Sequence, residues 1–160
     1  MDIRDYRPSD ADAVLALVDR AWVPVFPEVN ALLGPELARL LHGEDWRVHH
    51  AAEIRGVLAD EQMRSWVAIE GEDVVGVASA RVVDPARRIG EVHLVGVDPG
   101  AQGQGVGTAL TLYAEAWLRE QEMAVSFIST GGDPGHAGAR ALYASLGYTL
   151  FPSTQCFKAL

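Results

Sequence analysis

The residues best suited to chemistry lie in one run: Val95-Gly96-Val97-Asp98-Pro99-Gly100-Ala101-Gln102-Gly103-Gln104-Gly105-Val106-Gly107-Thr108. An apolar strand runs into a glycine-rich loop that opens a helix. Glycines allow positive φ and let backbone approach a ligand closely. The first N–H groups of a helix have no internal partner, and with the helix dipole they attract an anion. Such a loop suits a pyrophosphate. A Walker loop needs Gly-Lys-Ser/Thr, and no lysine is present here. A dinucleotide fingerprint needs G-x-G-x-x-G, whereas the run from Gly103 is G-x-G-x-G. The next strand also ends at Ser129-Thr130, without the acid that a ribose contact requires. Just upstream, Glu91 and His93 are groups that can bind or move protons.

These residues need a scaffold, and the patterning predicts one. Ile3–Arg7 reads as an edge strand. Ser9 is the expected N-cap of a helix with Val14, Leu17, Val18 and Ala21 on one face, ending inside Trp22–Pro27. A second helical stretch starts at Gly34-Pro35 and stops at Gly43, and a third covers Trp46–Ala59. Strands follow at Trp66–Ile69 and Val74–Val83, joined by the turn Glu70–Asp73, and then at Ile89–Val97. Gly105–Glu122 is a long helix, Val125–Ser129 a strand and His136–Leu146 a helix. Tyr148–Phe151 and Gln155–Lys158 read as closing strands. The order predicts a mixed α/β fold, not a regular parallel winding. No repeat or long linker divides the 160 residues, so one domain over 1–160 is expected.

Two stretches resemble the GNAT superfamily of acetyl-coenzyme A-dependent N-acetyltransferases. Gln102-Gly103-Gln104-Gly105-Val106-Gly107 matches its Gln/Arg-x-x-Gly-x-Gly/Ala motif without a gap, and Val97-Asp98-Pro99 matches the usual end of the preceding strand. Further on, the segment from His136 to Tyr148 matches Asn-x-x-Ala-x-x-Leu-Tyr-x-x-x-Gly-Phe/Tyr through Ala139, Leu142, Tyr143, Gly147 and Tyr148, with His136 at the Asn position. The resemblance covers Trp66–Tyr148; the N-terminal third agrees in order and length only. It implies a twisted, mostly antiparallel sheet of six to seven strands flanked by helices and splayed between the fourth and fifth.

The resemblance also implies roles. Backbone groups of Gln102, Gly103, Gln104, Gly105, Val106, Gly107 and Thr108 would hold the pyrophosphate of acetyl-CoA, used as a cosubstrate. Val95 and Val97 would pair with its pantetheine arm as an added strand, in a slot that a bulge would open. His136, Ala139 and Tyr143 would complete the cofactor side. Tyr143 would act as general acid, giving a proton to the departing thiolate. The acetyl group would pass to a primary amine by direct attack in a ternary complex. A non-catalytic acyl-CoA-binding module would share the loop but have no need of Tyr143.

An amine must be neutral to attack, so a proton acceptor is expected. Strand alternation puts Glu91, His93, Val95 and Val97 on one face unless a bulge intervenes. Glu91 then lies about 13 Å along the strand from Val95, suited to a water chain or to binding the acceptor's ammonium. It also stands where histone-type members of the family carry a catalytic glutamate. On the acceptor side, Trp22 and Phe26 could form an aromatic wall or equally a core plug. His49 and His50 are expected at the surface, where adjacent helical positions cannot form a metal pair.

Composition sets the remaining bounds. Apolar residues make up 49% and charged residues 22%, a globular balance. A net charge of −9 argues against a nucleic-acid partner. The lone Cys156 excludes an internal disulfide and a cysteine zinc site. No metal is expected, and the partner is a small-molecule or peptide amine. The charged start and the lack of a long apolar run point to a cytoplasmic protein without membrane association. A homodimer is compatible with all of these features.

Overall fold

The computed structural model describes residues 1–160. Its elements, in chain order, are β1 (Asp2–Asp5), α1 (Ala11–Trp22), α2 (Phe26–His42), α3 (Trp46–Ala59), β2 (Arg64–Glu70), β3 (Asp73–Asp84), β4 (Ile89–Val97), α4 (Val106–Glu120), β5 (Val125–Phe127) and α5 (Ala137–Ser145). The five strands lie in one sheet in sequence order. All neighbours are antiparallel except β4 and β5, which are parallel. No helix is long and apolar enough to cross a membrane.

The two sheet faces are covered by different helices. On one, Leu110, Ala114 and Leu118 of α4 pack against Trp66, Ala68, Ala78, Ala80 and Val92. Two glycines let α4 lie this close. A Cβ at Gly76 would meet Leu110 Cδ1 at 2.7 Å, and one at Gly90 would meet Leu118 Cδ2 at 2.4 Å. On the other face, Val14, Leu17 and Val18 of α1 and Ile54 of α3 pack on Val67, Val77 and Leu94.

Several expectations change. The sheet has five strands, not six to seven: Tyr148–Phe151 and Gln155–Lys158 form none, and Leu150, Phe151 and Phe157 are exposed. A strand exists only through a partner ladder, β5 pairs over just three residues, and Pro152 has no N–H to donate. The second helix begins at Phe26 and is kinked at Gly34, where φ is +78° ahead of Pro35. At the first helix, Asp10 replaces Ser9 as the residue that organises the start: its carboxylate accepts from Arg7 N–H at 2.8 Å and from Arg4 at 2.8 and 2.9 Å. The Arg4 hydrogen bond, ahead of the opposing effect of burial, holds Asp10 below the usual carboxylate range.

The feature that shapes the site is the parting of β4 and β5. Only Ile89, Gly90 and Glu91 pair with β5, while β4 continues to Val97 against β3 alone. The expected splay between fourth and fifth strands is therefore present. In the β3–β4 ladder, Ser79 pairs with Leu94 and Ala80 with Val92, so His93 is an extra, bulged residue.

Candidate functional site

A cleft of about 710 Å³ lies where the strands part. Its walls are β4 from His93 to Val97, the loop and first turn of α4, the residues following β5, the inner face of α5, and the turn after α1. Each wall can be traced to a local cause.

The glycine loop has unusual backbone. Gly103 and Gly105 adopt φ of +73° and +86°, and Gly105 is the left-handed N-cap of α4. An L side chain in that conformation costs roughly 1–2 kcal/mol. The first intrahelical bond is Ala109 N–H to Gly105 O at 2.9 Å. Val106, Gly107 and Thr108 therefore present N–H groups without helical partners. Asp98 supports the loop by accepting from Gly100 N–H at 2.9 Å, and it is tied to Arg20 of α1. The Arg20 hydrogen bond, then that of Gly100, pulls Asp98 below the usual carboxylate range. Gln102, Gly103, Gly105, Gly107 and Thr108 line the cleft. The side chain of Val106 is buried under α4, and Gln104 turns back to donate to Gly100 O at 2.9 Å.

The free edge of β4 can be read from its ladder. Asp98 donates its N–H to Val75 O at 3.0 Å, and bonded pairs alternate along an antiparallel ladder. Gly96 is thus bonded to β3, whereas Val95 and Val97 turn their N–H and C=O outward into the cleft. Val97 O accordingly accepts from the Gln102 side chain at 3.2 Å. The N–H and C=O of Val95 and the N–H of Val97 are left without a backbone partner on this edge.

The bulge at His93 changes the face on which β4 side chains lie. Val92, Val95 and Val97 pack toward α4, and Leu94 packs toward α1. The expected common face of Glu91, His93, Val95 and Val97 does not form, because one extra residue inverts the alternation. Glu91 is 7% exposed and does not line the cleft. Its two oxygens are taken by Arg81 Nε at 2.7 Å and His93 Nδ1 at 3.2 Å. His93 reaches the cleft with Glu91 behind it.

On α5, Tyr143 is 6% exposed and lines the cleft, and its hydroxyl makes no hydrogen bond to the protein. Burial, assisted by neighbouring Tyr148, pushes its phenol up to about 12, so it is a proton donor throughout the neutral range. Tyr148 packs edge-on to it at 5.9 Å and bonds Ser126 Oγ at 3.0 Å. Ala139 also lines the cleft. Gly107 lets α4 meet α5, since a Cβ there would lie 3.1 Å from Leu142 Cδ2.

His136, at the start of α5, lines the cleft too, and its Nδ1 sits 2.6 Å from Asp133 Oδ2. Burial alone would raise the Asp133 carboxyl, but the His136 hydrogen bond and charge outweigh it and hold it below the usual range. Asp133 drew no attention in the sequence; the Asp-x-x-His spacing ahead of α5 was its only signal. Arg81, which pairs with Glu91, had no signal at all.

The Trp22–Phe26 stretch divides between cleft and core. Trp22 lines the cleft and Phe26 does not. Phe26 is buried, stacked on Trp46 at 4.3 Å and edge-on to His42 and His50. His50, expected at the surface, is 8% exposed beneath Trp22, because its side of α3 packs on α1. Burial pushes its imidazole down. No group of three or more His, Cys, Asp or Glu is placed to hold a metal ion.

Comparison with known proteins bears on this geometry. Residues 27–148 match the acetyltransferase (GNAT) family. A mycothiol acetyltransferase of Amycolatopsis mediterranei is 36% identical over 119 residues, 66% of this chain and 38% of the relative. One from Acidothermus cellulolyticus is 32% identical over 152 residues, 92% of this chain and 44% of the relative. The chain thus spans less than half the length of these curated relatives. Among solved structures, a PaiA N-acetyltransferase of Thermoplasma acidophilum in complex with coenzyme A shares the fold with a TM-score of 0.69, 12% identity, and coverage of 96% and 92% of the two chains. An aminoglycoside 6'-N-acetyltransferase of Acinetobacter haemolyticus shares it at 0.67 and 17% identity, covering 100% and 99%.

Proposed function

The chain belongs to the GNAT acetyltransferase family, and we propose that it moves the acetyl group of acetyl-CoA to a primary amine in a ternary complex. The observation that supports this most is the joining of three features in one cleft. They are unpaired N–H groups at the start of α4, the outward backbone of Val95 and Val97, and a buried, unbonded Tyr143. A CoA-binding module without chemistry would use the first two and have no call for the third.

The residues act as follows. The Val106, Gly107 and Thr108 amides hold the pyrophosphate, with Gln102, Gly103, Gln104 and Gly105 shaping the loop around it. Val95 and Val97 bind the pantetheine amides as an added strand and bring an N–H to the thioester oxygen, where negative charge grows as the amine adds. The amine nitrogen attacks the carbonyl carbon, and the C–S bond breaks as the tetrahedral adduct collapses. Tyr143 gives its proton to the leaving sulfur and recovers one from solvent. Glu91 orients His93, whose other ring nitrogen takes a proton from the acceptor nitrogen on the β4 side. Trp22 forms the acceptor wall, with Phe26 bracing it from behind.

The acceptor is a small-molecule or peptide amine, and the named activity of the relatives puts mycothiol-type acceptors first in a panel. The test is an amine screen with acetyl-CoA, measuring release of the free CoA thiol. Turnover with at least one amine above background hydrolysis is expected. Tight CoA binding with no turnover on any amine would show a binding module instead.

A further inference from the structure

An ammonium acceptor must lose two protons on becoming an amide: one before it can attack, and one from the nitrogen of the tetrahedral adduct. The Glu91–His93 pair accounts for one of these. The cleft holds a second pair of the same kind on its opposite wall, at Asp133 and His136.

Four observations set this pair apart. First, His136 Nδ1 lies 2.6 Å from Asp133 Oδ2, against 3.2 Å between His93 and Glu91. A carboxylate at Nδ1 keeps that nitrogen protonated and leaves Nε2 as the free acceptor, a tautomer assigned from the hydrogen bond. Second, the Asp133 side-chain oxygens accept only from His136, through its ring and its N–H, whereas Glu91 is shared with the guanidinium of Arg81. An unshared carboxylate stabilises the imidazolium that forms when Nε2 takes a proton. Third, the chain leaves room for the pair. A Cβ at Gly131 would lie 2.2 Å from Asp133 Oδ2 and 2.5 Å from His136 Nδ1. At Gly135 it would meet Val25 Cα at 2.9 Å and Pro24 O at 3.0 Å, so the loop is wedged against the acceptor-side turn. Fourth, His136 is the N-cap of α5, seven residues and about 10 Å along the axis before Tyr143, and both line the cleft.

The charged and titratable groups around His136 are few. Asp133 is on its own loop. Arg140 of α5 donates to the backbone carbonyls of Gly131 and Asp133 at 2.6 and 2.8 Å, away from the carboxylate. Tyr143 lies further along α5, His93 stands on the β4 wall, and the Pro24–Val25 turn brings no charge.

We propose that His136, oriented by Asp133, is the base that takes the first proton from the acceptor ammonium. In the step, the N–H bond of the ammonium breaks and its proton moves to His136 Nε2. The lone pair so freed forms the C–N bond. His136 then passes the proton to solvent, while Tyr143 protonates the sulfur. The proposal rests on the acetyl-transfer reading of the cleft.

The test uses the whole chain with glycinamide, glucosamine, spermidine and a lysine peptide as amines. In His136→Ala, kcat/KM for the amine should fall about 10²- to 10³-fold. Any fall in CoA affinity should be much smaller than the fall in kcat/KM, since the loop and the β4 edge proposed to hold most of the cofactor are untouched. The ascending limb of the pH profile should be displaced, and added imidazole should restore part of the rate. Asp133→Asn should lower the rate through the wrong tautomer and abolish the far-downfield Nδ1–H proton resonance of His136. A His136→Ala protein with an unchanged pH limb, no imidazole rescue, and a loss confined to CoA affinity would overturn the proposal. So would absence of the downfield resonance in the unaltered chain. Failure of the unaltered chain to acetylate any amine is a different result: it overturns the acetyl-transfer reading itself.

Discussion

The two walls of the cleft are built from different materials. The wall that the proposed reading gives to the cofactor is backbone: unpaired amides at the start of α4, outward groups of Val95 and Val97, and glycines at positive φ. The wall that it gives to the acceptor is side chain: Trp22 on the cleft, with His50 packed against it and Phe26, Trp46 and His42 beyond. A backbone site depends on local conformation and tolerates neighbouring substitutions that keep φ. A side-chain wall depends on mutual packing and gives way as a unit. On the proposed reading, the first wall would take acetyl-CoA and the second the acceptor amine.

That contrast can be broken or sharpened by substitution. Phe26→Ala should have the largest effect on stability, about 3–5 kcal/mol by thermal or denaturant unfolding, because a stacked buried ring leaves a cavity. The CoA affinity of the folded fraction should hardly move. A large loss of CoA affinity would mean that the two walls are not separable. Tyr143→Phe should lower kcat about 10²- to 10⁴-fold with CoA binding retained, since only the proton donor is removed. Retained kcat would take Tyr143 out of the chemistry. Gly105→Ala should strain the loop by roughly 1–2 kcal/mol, and relaxation of the free loop away from positive φ should weaken CoA binding about tenfold, as measured by calorimetry. An affinity unchanged by this strain would remove the backbone account of the cofactor wall.

The smallest effect concerns pH. Burial lowers the His50 imidazole below 6.5, so the folded state binds that proton less readily than the unfolded chain. Stability from His50 is therefore present above about pH 6.5 and is lost as pH falls through its folded value. Thermal melts should show Tm dropping below pH 6.5, and His50→Leu should flatten that slope. A slope unchanged in His50→Leu would place the titration elsewhere, His42 being the neighbour that burial also lowers.

The cofactor wall was legible in the sequence because its information is local. Positive φ needs glycine, and helix starts follow from spacing, so Gln102–Thr108 could be read in order. The bounds of α3 and β4 agree with their patterns for the same reason. The acceptor wall was not legible. Whether Trp22 and Phe26 form wall or plug depends on how α1, α2 and α3 pack, and the pattern of His49-His50 says nothing of which ring is covered. The closing strands at Tyr148–Phe151 and Gln155–Lys158 show the converse error. Residues that favour strands, such as Tyr148, Phe151 and Phe157, were present, but no ladder was available to use them.

The mostly antiparallel sheet was what the family resemblance implied; by itself the sequence determined where the glycine loop opens a helix, that Tyr143 lies on the apolar face of a later helix, and that strands and helices follow one another in a mixed order. These are short-range properties, set by backbone conformational preference and apolar period. Tertiary structure alone decided that β4 bulges at His93, that Glu91 is turned away behind it, and that His136 and Tyr143 line one cleft with His93 of β4. A bulge is a mismatch between two strands and a cleft is a meeting of separate elements in space. Neither leaves a period in the chain, so both become visible only when the partners are in place.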